Sequence, residues 1–164
     1  MRRLVLSFFG AGYLRPAPGT WGSLAALPAA WAVHAAIGPG MFLVAIAFLY
    51  ALGAYLTTQE TAAGGDHDPS WIVIDEVVGQ WIALIPVVLG AYAANADVLD
   101  LWPGIVAAFV FFRLFGIWKP WLVGRADRRG DAAGVMLDDV WAGAFAAVVV
   151  VALAALAHSV LLSS

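Results

Sequence analysis

The sequence predicts an all-α protein, a small polytopic bundle of membrane helices forming a single domain over residues 1–164. Two observations carry this. First, 63% of the residues are hydrophobic and only 12% charged, against ~45–50% and ~25% in soluble chains. With a mean hydropathy of +0.91, the polar residues are too few to coat a globule, so the natural solvent is a bilayer. Second, the apolar residues gather into five long runs without the period-2 alternation that a strand requires. The same composition closes other classes. Zero cysteines exclude disulfides, thiolate zinc sites and cysteine nucleophiles. Eight scattered basic residues form no nucleic-acid-binding patch. No polar or low-complexity tract points to disorder, and nothing in the chain sets an oligomeric state.

The runs cover residues 21–37, 41–57, 72–94, 102–118 and 140–162. The three shortest hold 17 residues, which at ~1.5 Å per residue reach about 25 Å, enough to cross with little tilt. The first is interrupted by Pro28 and His34, and Gly38-Pro39-Gly40 leaves only a tight turn before the second. Residues 4–14, behind Arg2 and Arg3, hold too short an apolar stretch for a signal peptide and are expected to be re-entrant or interfacial. If five helices alternate, all eight basic residues fall on one side of the membrane, which the excess of Lys and Arg in cytoplasmic loops makes the cytoplasmic one. Asp97, Asp100 and the C-terminus take the other side.

Four polar motifs collect at that same side. Pro18-Gly19-Thr20-Trp21-Gly22-Ser23 leads into the first run. Its glycines allow close backbone approach to an anion, Thr20 and Ser23 offer hydroxyls, and the helix start offers free N–H groups. By itself the motif reads better as a Gly/Pro turn capped by Thr20 or Ser23. Asp66-His67-Asp68-Pro69-Ser70 precedes Asp75-Glu76 at the head of the third run, with His67 read as a loop residue. Pairing with the helix dipole accounts for one of these acids but not for an adjacent pair ahead of a wholly apolar span. Asp138-Asp139 opens the fifth run in the same way. Two acidic pairs at two helix mouths predict a shared divalent-cation site, and oxygen ligands without thiolates favour Mg²⁺, with Mn²⁺ or Ca²⁺ as alternatives. Arg113, about a turn and a half inside its run, and Lys119 near the Trp118 and Trp121 anchors supply the cationic side. An arginine fork fits phosphate bidentately, and a lysine adds a point charge. The remaining loop charges, Arg125, Asp127, Arg128, Arg129 and Asp131, read in part as anionic-lipid contacts.

The segments Pro-Gly-Thr-x-Gly-Ser, His-Asp-Pro-Ser…Asp-Glu, Phe-Arg-x-Phe…Lys-Pro-Trp and Gly-Val-Met-Leu-Asp-Asp-Val-x-Ala-Gly follow one another in this order. In them the chain closely resembles the phosphatidylglycerophosphatase A family of bacterial inner-membrane lipid phosphatases, from about Phe9 to Gly143. The resemblance implies a multi-pass enzyme of phospholipid biosynthesis. It would carry out Mg²⁺-dependent hydrolysis of phosphatidylglycerophosphate to phosphatidylglycerol and phosphate at the cytoplasmic face. By motif position it implies Thr20, Asp68, Arg113 and Lys119 as catalytic groups and Asp75, Glu76, Asp138 and Asp139 as metal ligands. Gly19, Thr20, Ser23, Arg113 and Lys119 would bind the substrate phosphate. The chain departs from the family pattern at Gly116, where the pattern is acidic, and more mildly at Leu122, where it is usually Pro.

No aspartate stands out as a nucleophile, so attack by water is preferred over an aspartyl-phosphate. Two other classes place charge in comparable positions. A lipid-headgroup phosphotransferase would need an Asp-Gly…Ala-Arg…Gly…Asp…Asp string on one helical pair, which is absent. An ion transporter or channel subunit would carry charge near mid-membrane along broken helices, whereas these acidic pairs sit at one interface.

Overall fold

The computed structural model describes residues 1–62, 69–129 and 131–163, and among them the regular structure is entirely helical. The chain runs through α1 (Arg2–Leu6), α2 (Pro18–Thr61), α3 (Ile74–Ala94), α4 (Trp102–Trp118), α5 (Trp121–Asp127) and α6 (Ala132–Ser163), with short 3-10 turns at Ala11–Tyr13 and Val98–Leu101. Among the described residues, four of these helices are long and apolar enough to cross a membrane: α2, α3, α4 joined to its preceding 3-10 turn, and α6.

The runs expected at 21–37 and 41–57 are the two limbs of the 44-residue α2, parted at Gly38. A straight helix of that length would extend ~66 Å. Instead Gly38 adopts φ 77° and ψ 172°, a conformation that an L side chain resists, and Pro39 behind it has no N–H to continue the ladder. The two limbs fold back on each other. Gly22 of the first abuts Val73, while Gly53 of the second abuts the next residue, Ile74. The turn expected at Gly38-Pro39-Gly40 is therefore a single-residue break.

α3 is the core of the bundle, more than half buried along its span. The Trp81 indole donates to the Ala26 carbonyl of α2 at 2.9 Å and its ring lies 5.3 Å from that of Phe42. Against α6, the approach is set by two glycines. A Cβ on Gly143 would strike the Gly79 backbone, and one on Gly79 would lie 2.6 Å from the Asp139 carbonyl. Small residues let membrane helices meet at backbone distance, and this crossing brings Asp139 alongside the head of α3.

Two element boundaries differ from expectation. α6 begins at Ala132, not near 140. The Asp131 carboxylate accepts from Gly134 N at 2.7 Å, so local capping starts the helix well before the apolar run does. Asp138 and Asp139 consequently lie in the second turn. The stretch read as loop also contains α5, which starts at once behind Pro120 because a proline suits a helix entrance. At the N-terminus, α1 has only five residues, too few to cross. It is stapled to the bundle by Arg2 and Arg3, whose Nε atoms reach Glu60 at 3.0 and 2.8 Å, and by Val73 N donating to the Leu6 carbonyl at 2.9 Å. Phe9, Tyr13 and Leu14 next to it are exposed.

The outer surface of the bundle is apolar, with Phe48, Val106, Val148 and Leu156 all exposed. Exposed Trp118 and Trp121 sit at one end of the bundle and Tyr92 and Trp102 at the other, the placement of aromatic belts at two membrane interfaces.

Candidate active site

Helix starts and ends meet at the Trp118 end of the bundle. α2 contributes its first turn, α3 its first turn, α4 its last two turns, and α6 the turns around Asp138. Between them lies a cavity of about 330 Å³. Gly19, Thr20, Asp75, Glu76, Arg113, Gly116, Lys119, Asp138 and Asp139 all line it, so nine residues singled out in the sequence share one site.

Carboxylate oxygens of Asp75, Glu76 and Asp139 lie within 4.8 Å of one another. Asp75 and Glu76 are adjacent and diverge by ~100° around their helix, yet both reach Asp139 because α6 crosses over the end of α3 where the glycines touch. Asp75 and Asp139 are buried, at 7% exposure each. Glu76 Oε2 is buried with no hydrogen-bond partner. Three carboxylates this close repel one another, and an unpaired buried oxygen adds to the cost. Such a set is a natural divalent-cation holder, and the orphaned Glu76 oxygen fits that role.

Asp138 lines the same cavity beside this three-carboxylate cluster. Its Oδ2 accepts from Lys119 Nζ at 3.0 Å, so it is engaged by a cation of the chain itself. Lys119 also binds Asp127. Burial alone would lower the pKa of the ammonium, but its bonds to Asp127 and Asp138 hold it above the usual lysine value. Lys119 is thus a fixed charge at the cavity edge, positioned by its own left-handed backbone at φ 51° as it ends α4. Asp127 was grouped with the loop charges and instead lines the cavity. Its eight-residue separation from Lys119 crosses a chain reversal, so no helical periodicity marks it. Ser70 is a second lining residue the motifs did not single out as a ligand.

Arg113 faces the carboxylates from α4. Its Nη1 is 3.5 Å from Ser23 Oγ, and its Nε is buried with no partner. Ser23 itself is fully buried and donates to the Gly19 carbonyl at 2.7 Å. Expected to touch phosphate, it is set behind the cavity wall, where it supports the α2 turn and the arginine. A Cβ at Gly19 would fall on Glu76 Oε1 and 3.4 Å from Arg113 Nη1, so any side chain there would displace the Glu76 carboxylate. At Gly116 a Cβ would fit in ordinary van der Waals contact, with Asp139 Oδ1 at 3.6 Å and Arg113 Nη1 at 4.0 Å. Asp68, expected among the catalytic groups, lies outside the described residues, as do Asp66 and His67.

The cavity thus sets an anionic wall against a cationic wall at one end of a bundle of apolar helices long enough to cross a membrane. The family model for phosphatidylglycerophosphatase A matches residues 4–154, and the chain belongs to that family. Its enzymatic class is therefore that of the phosphoric monoester hydrolases. The chain is 40% identical over 146 residues to the phosphatidylglycerophosphatase A of Haemophilus influenzae, covering 88% of this chain and 83% of that protein. It is 35% identical over 140 residues to that of Escherichia coli, covering 85% and 75%. A Bacteroides thetaiotaomicron protein, named provisionally as a phosphatidylinositol-3-phosphatase, is 32% identical over 152 residues, covering 90% and 89%. No solved structure matches the chain.

Proposed function

We propose that this protein hydrolyses phosphatidylglycerophosphate to phosphatidylglycerol and inorganic phosphate, using Mg²⁺, at the cytoplasmic face of a bacterial inner membrane. The observation that carries the reading is the triad of clustered carboxylates set against Arg113 in one cavity. Asp75, Glu76 and Asp139 would hold the metal, with Asp138 adjoining. A bound Mg²⁺ would supply Lewis acidity toward the phosphoryl group. The chain's own residues account for the rest. The Arg113 fork, with its buried unpaired Nε, grips phosphoryl oxygens and neutralises charge as it redistributes toward the leaving oxygen. Gly19 brings backbone close to the phosphate and Thr20 offers its hydroxyl. Lys119 adds positive charge, and Asp127 and Asp138 keep it from swinging away. Water is the nucleophile in this reading, and Asp68 joins the catalytic set by motif position alone.

The expected result is phosphate release from phosphatidylglycerophosphate by the purified protein in mixed micelles, abolished by a chelator and restored by Mg²⁺. A phosphotransferase would give no free phosphate, and a transporter subunit would give no turnover. Either outcome would overturn the assignment.

The membrane reading extends to five crossings, counting the two limbs of α2 separately, with residues 4–14 seated at the interface and the site facing the cytoplasm. The chain has no cysteines, so Asp97→Cys and Asp100→Cys give single labelling sites. Both are expected to react with an impermeant maleimide from the periplasmic side. Labelling only from the cytoplasm would reject this orientation.

A further inference from the structure

Glu76, Gln80, Leu84 and Val88 recur every four residues along α3 and so share one face. Glu76 opens that face in the polar cavity, beside Gly19 of α2. Leu84 and Val88 close it in a second, apolar cavity of about 250 Å³, shared with Leu27 of α2 and Ile105 of α4. The face therefore lies beneath the seam between the first limb of α2 and α4, and Gln80 stands midway. Gln80 is fully buried, and both its Nε2 and its Oε1 lack a hydrogen-bond partner. Buried side-chain amides in folded proteins are as a rule paired. Gln80 follows Glu76 by about one ~5.4 Å turn of α3, and long side chains on a helix lean toward its N-terminus, which here is the side of the polar cavity. Across the seam the Arg113 Nε is buried and unpaired as well.

Resting on the functional reading above, we propose that Gln80 is a specificity residue that recognises the hydroxyl next to the scissile phosphate ester in the lipid's glycerol headgroup. The amide has one donor group and one acceptor group free. Phosphates, phosphodiesters and ester carbonyls only accept, and ammonium groups only donate. A hydroxyl does both, and the headgroup glycerol carries one on the carbon next to that bearing the scissile ester. With the phosphate between Arg113 and the carboxylates, a glycerol chain running past Glu76 along the seam would carry that hydroxyl toward Gln80. A site built around a substrate hydroxyl discriminates strongly against an analogue without it, because its own polar atoms are then left unpaired.

The test compares phosphatidylglycerophosphate with the analogue whose headgroup is propanediol phosphate, which lacks only that hydroxyl. In wild type, kcat/KM is expected to favour the natural lipid by about tenfold. In Gln80→Met, which keeps length and removes the amide, the ratio is expected to fall to near one. The ratio is taken within each preparation, so partial loss of folded protein cancels. A wild-type ratio near one, or an unchanged ratio in Gln80→Met, would overturn the proposal alone. Absence of phosphate release from both lipids by the wild type would overturn the functional reading and this inference with it.

Discussion

Asp139→Asn is expected to lower phosphate release about a thousandfold, some 4 kcal/mol of transition-state stabilisation, while leaving the bundle folded. Asp139 is the member of the carboxylate cluster contributed by α6, and it joins Asp75 and Glu76 across the tightest crossing in the fold. Asparagine preserves its size, so the Gly79–Gly143 packing need not move. It removes one of three mutually repelling charges, and the metal-free variant should therefore melt at the same temperature as wild type or higher. The stabilisation that Mg²⁺ gives the wild type by mass action should disappear. Loss of activity together with retained or raised thermal stability is the signature of a ligand. Wild-type turnover in the variant would remove Asp139 from the site, and collapse of folded yield would reassign it to structure.

Gly116→Asp is expected to raise Mg²⁺-dependent turnover at least tenfold, about 1.4 kcal/mol. Positions 113 and 116 are three apart on α4 and share a face, and both line the cavity. A Cβ at 116 clashes with nothing, its neighbours being Asp139 Oδ1 at 3.6 Å and Arg113 Nη1 at 4.0 Å. A carboxylate there would fit without displacing backbone and would stand where the family pattern is acidic. It would lie between the arginine and the cation-holding cluster, able to orient one or extend the other. Glycine also costs ~1 kcal/mol against alanine within a helix, so propensity does not explain its presence. Comparing both forms at matched folded concentration gives the answer. An unchanged or lower rate would remove position 116 from the site.

How much of this was legible from the chain varies from motif to motif. The run at 102–118 is α4 to the residue, because an apolar stretch bounded by Trp102-Pro103 and Lys119-Pro120 has its ends written into it. The third run misses α3 by two residues at its start. The fifth misses α6 by eight residues, since hydropathy reports the part of a helix that faces lipid and is silent about the polar turns that Asp131 initiates. The same blindness hid α5.

For the site, residue type and position near a helix end were enough to gather Gly19, Thr20, Asp75, Glu76, Arg113, Lys119, Asp138 and Asp139 into one cavity. A charged group inside an apolar run is too costly to be there without a partner, and that reasoning needs no coordinates. What the chain could not divide was the labour among those residues. Ser23 looked like an anion ligand, but its hydroxyl is used by the Gly19 carbonyl and the arginine behind the wall. Asp138 and Asp139 looked equivalent, yet one pairs with Lys119 and the other joins the carboxylate cluster. Neighbours in sequence on a helix point ~100° apart, and which of the two faces the cluster depends on the rotation of α6 about its axis. That rotation is set by Gly143 seated on Gly79, a contact between residues 64 positions apart. Composition and motif determined the solvent, the helices and the residues of the site. Only the packing of one helix on another decided which carboxylate meets which charge.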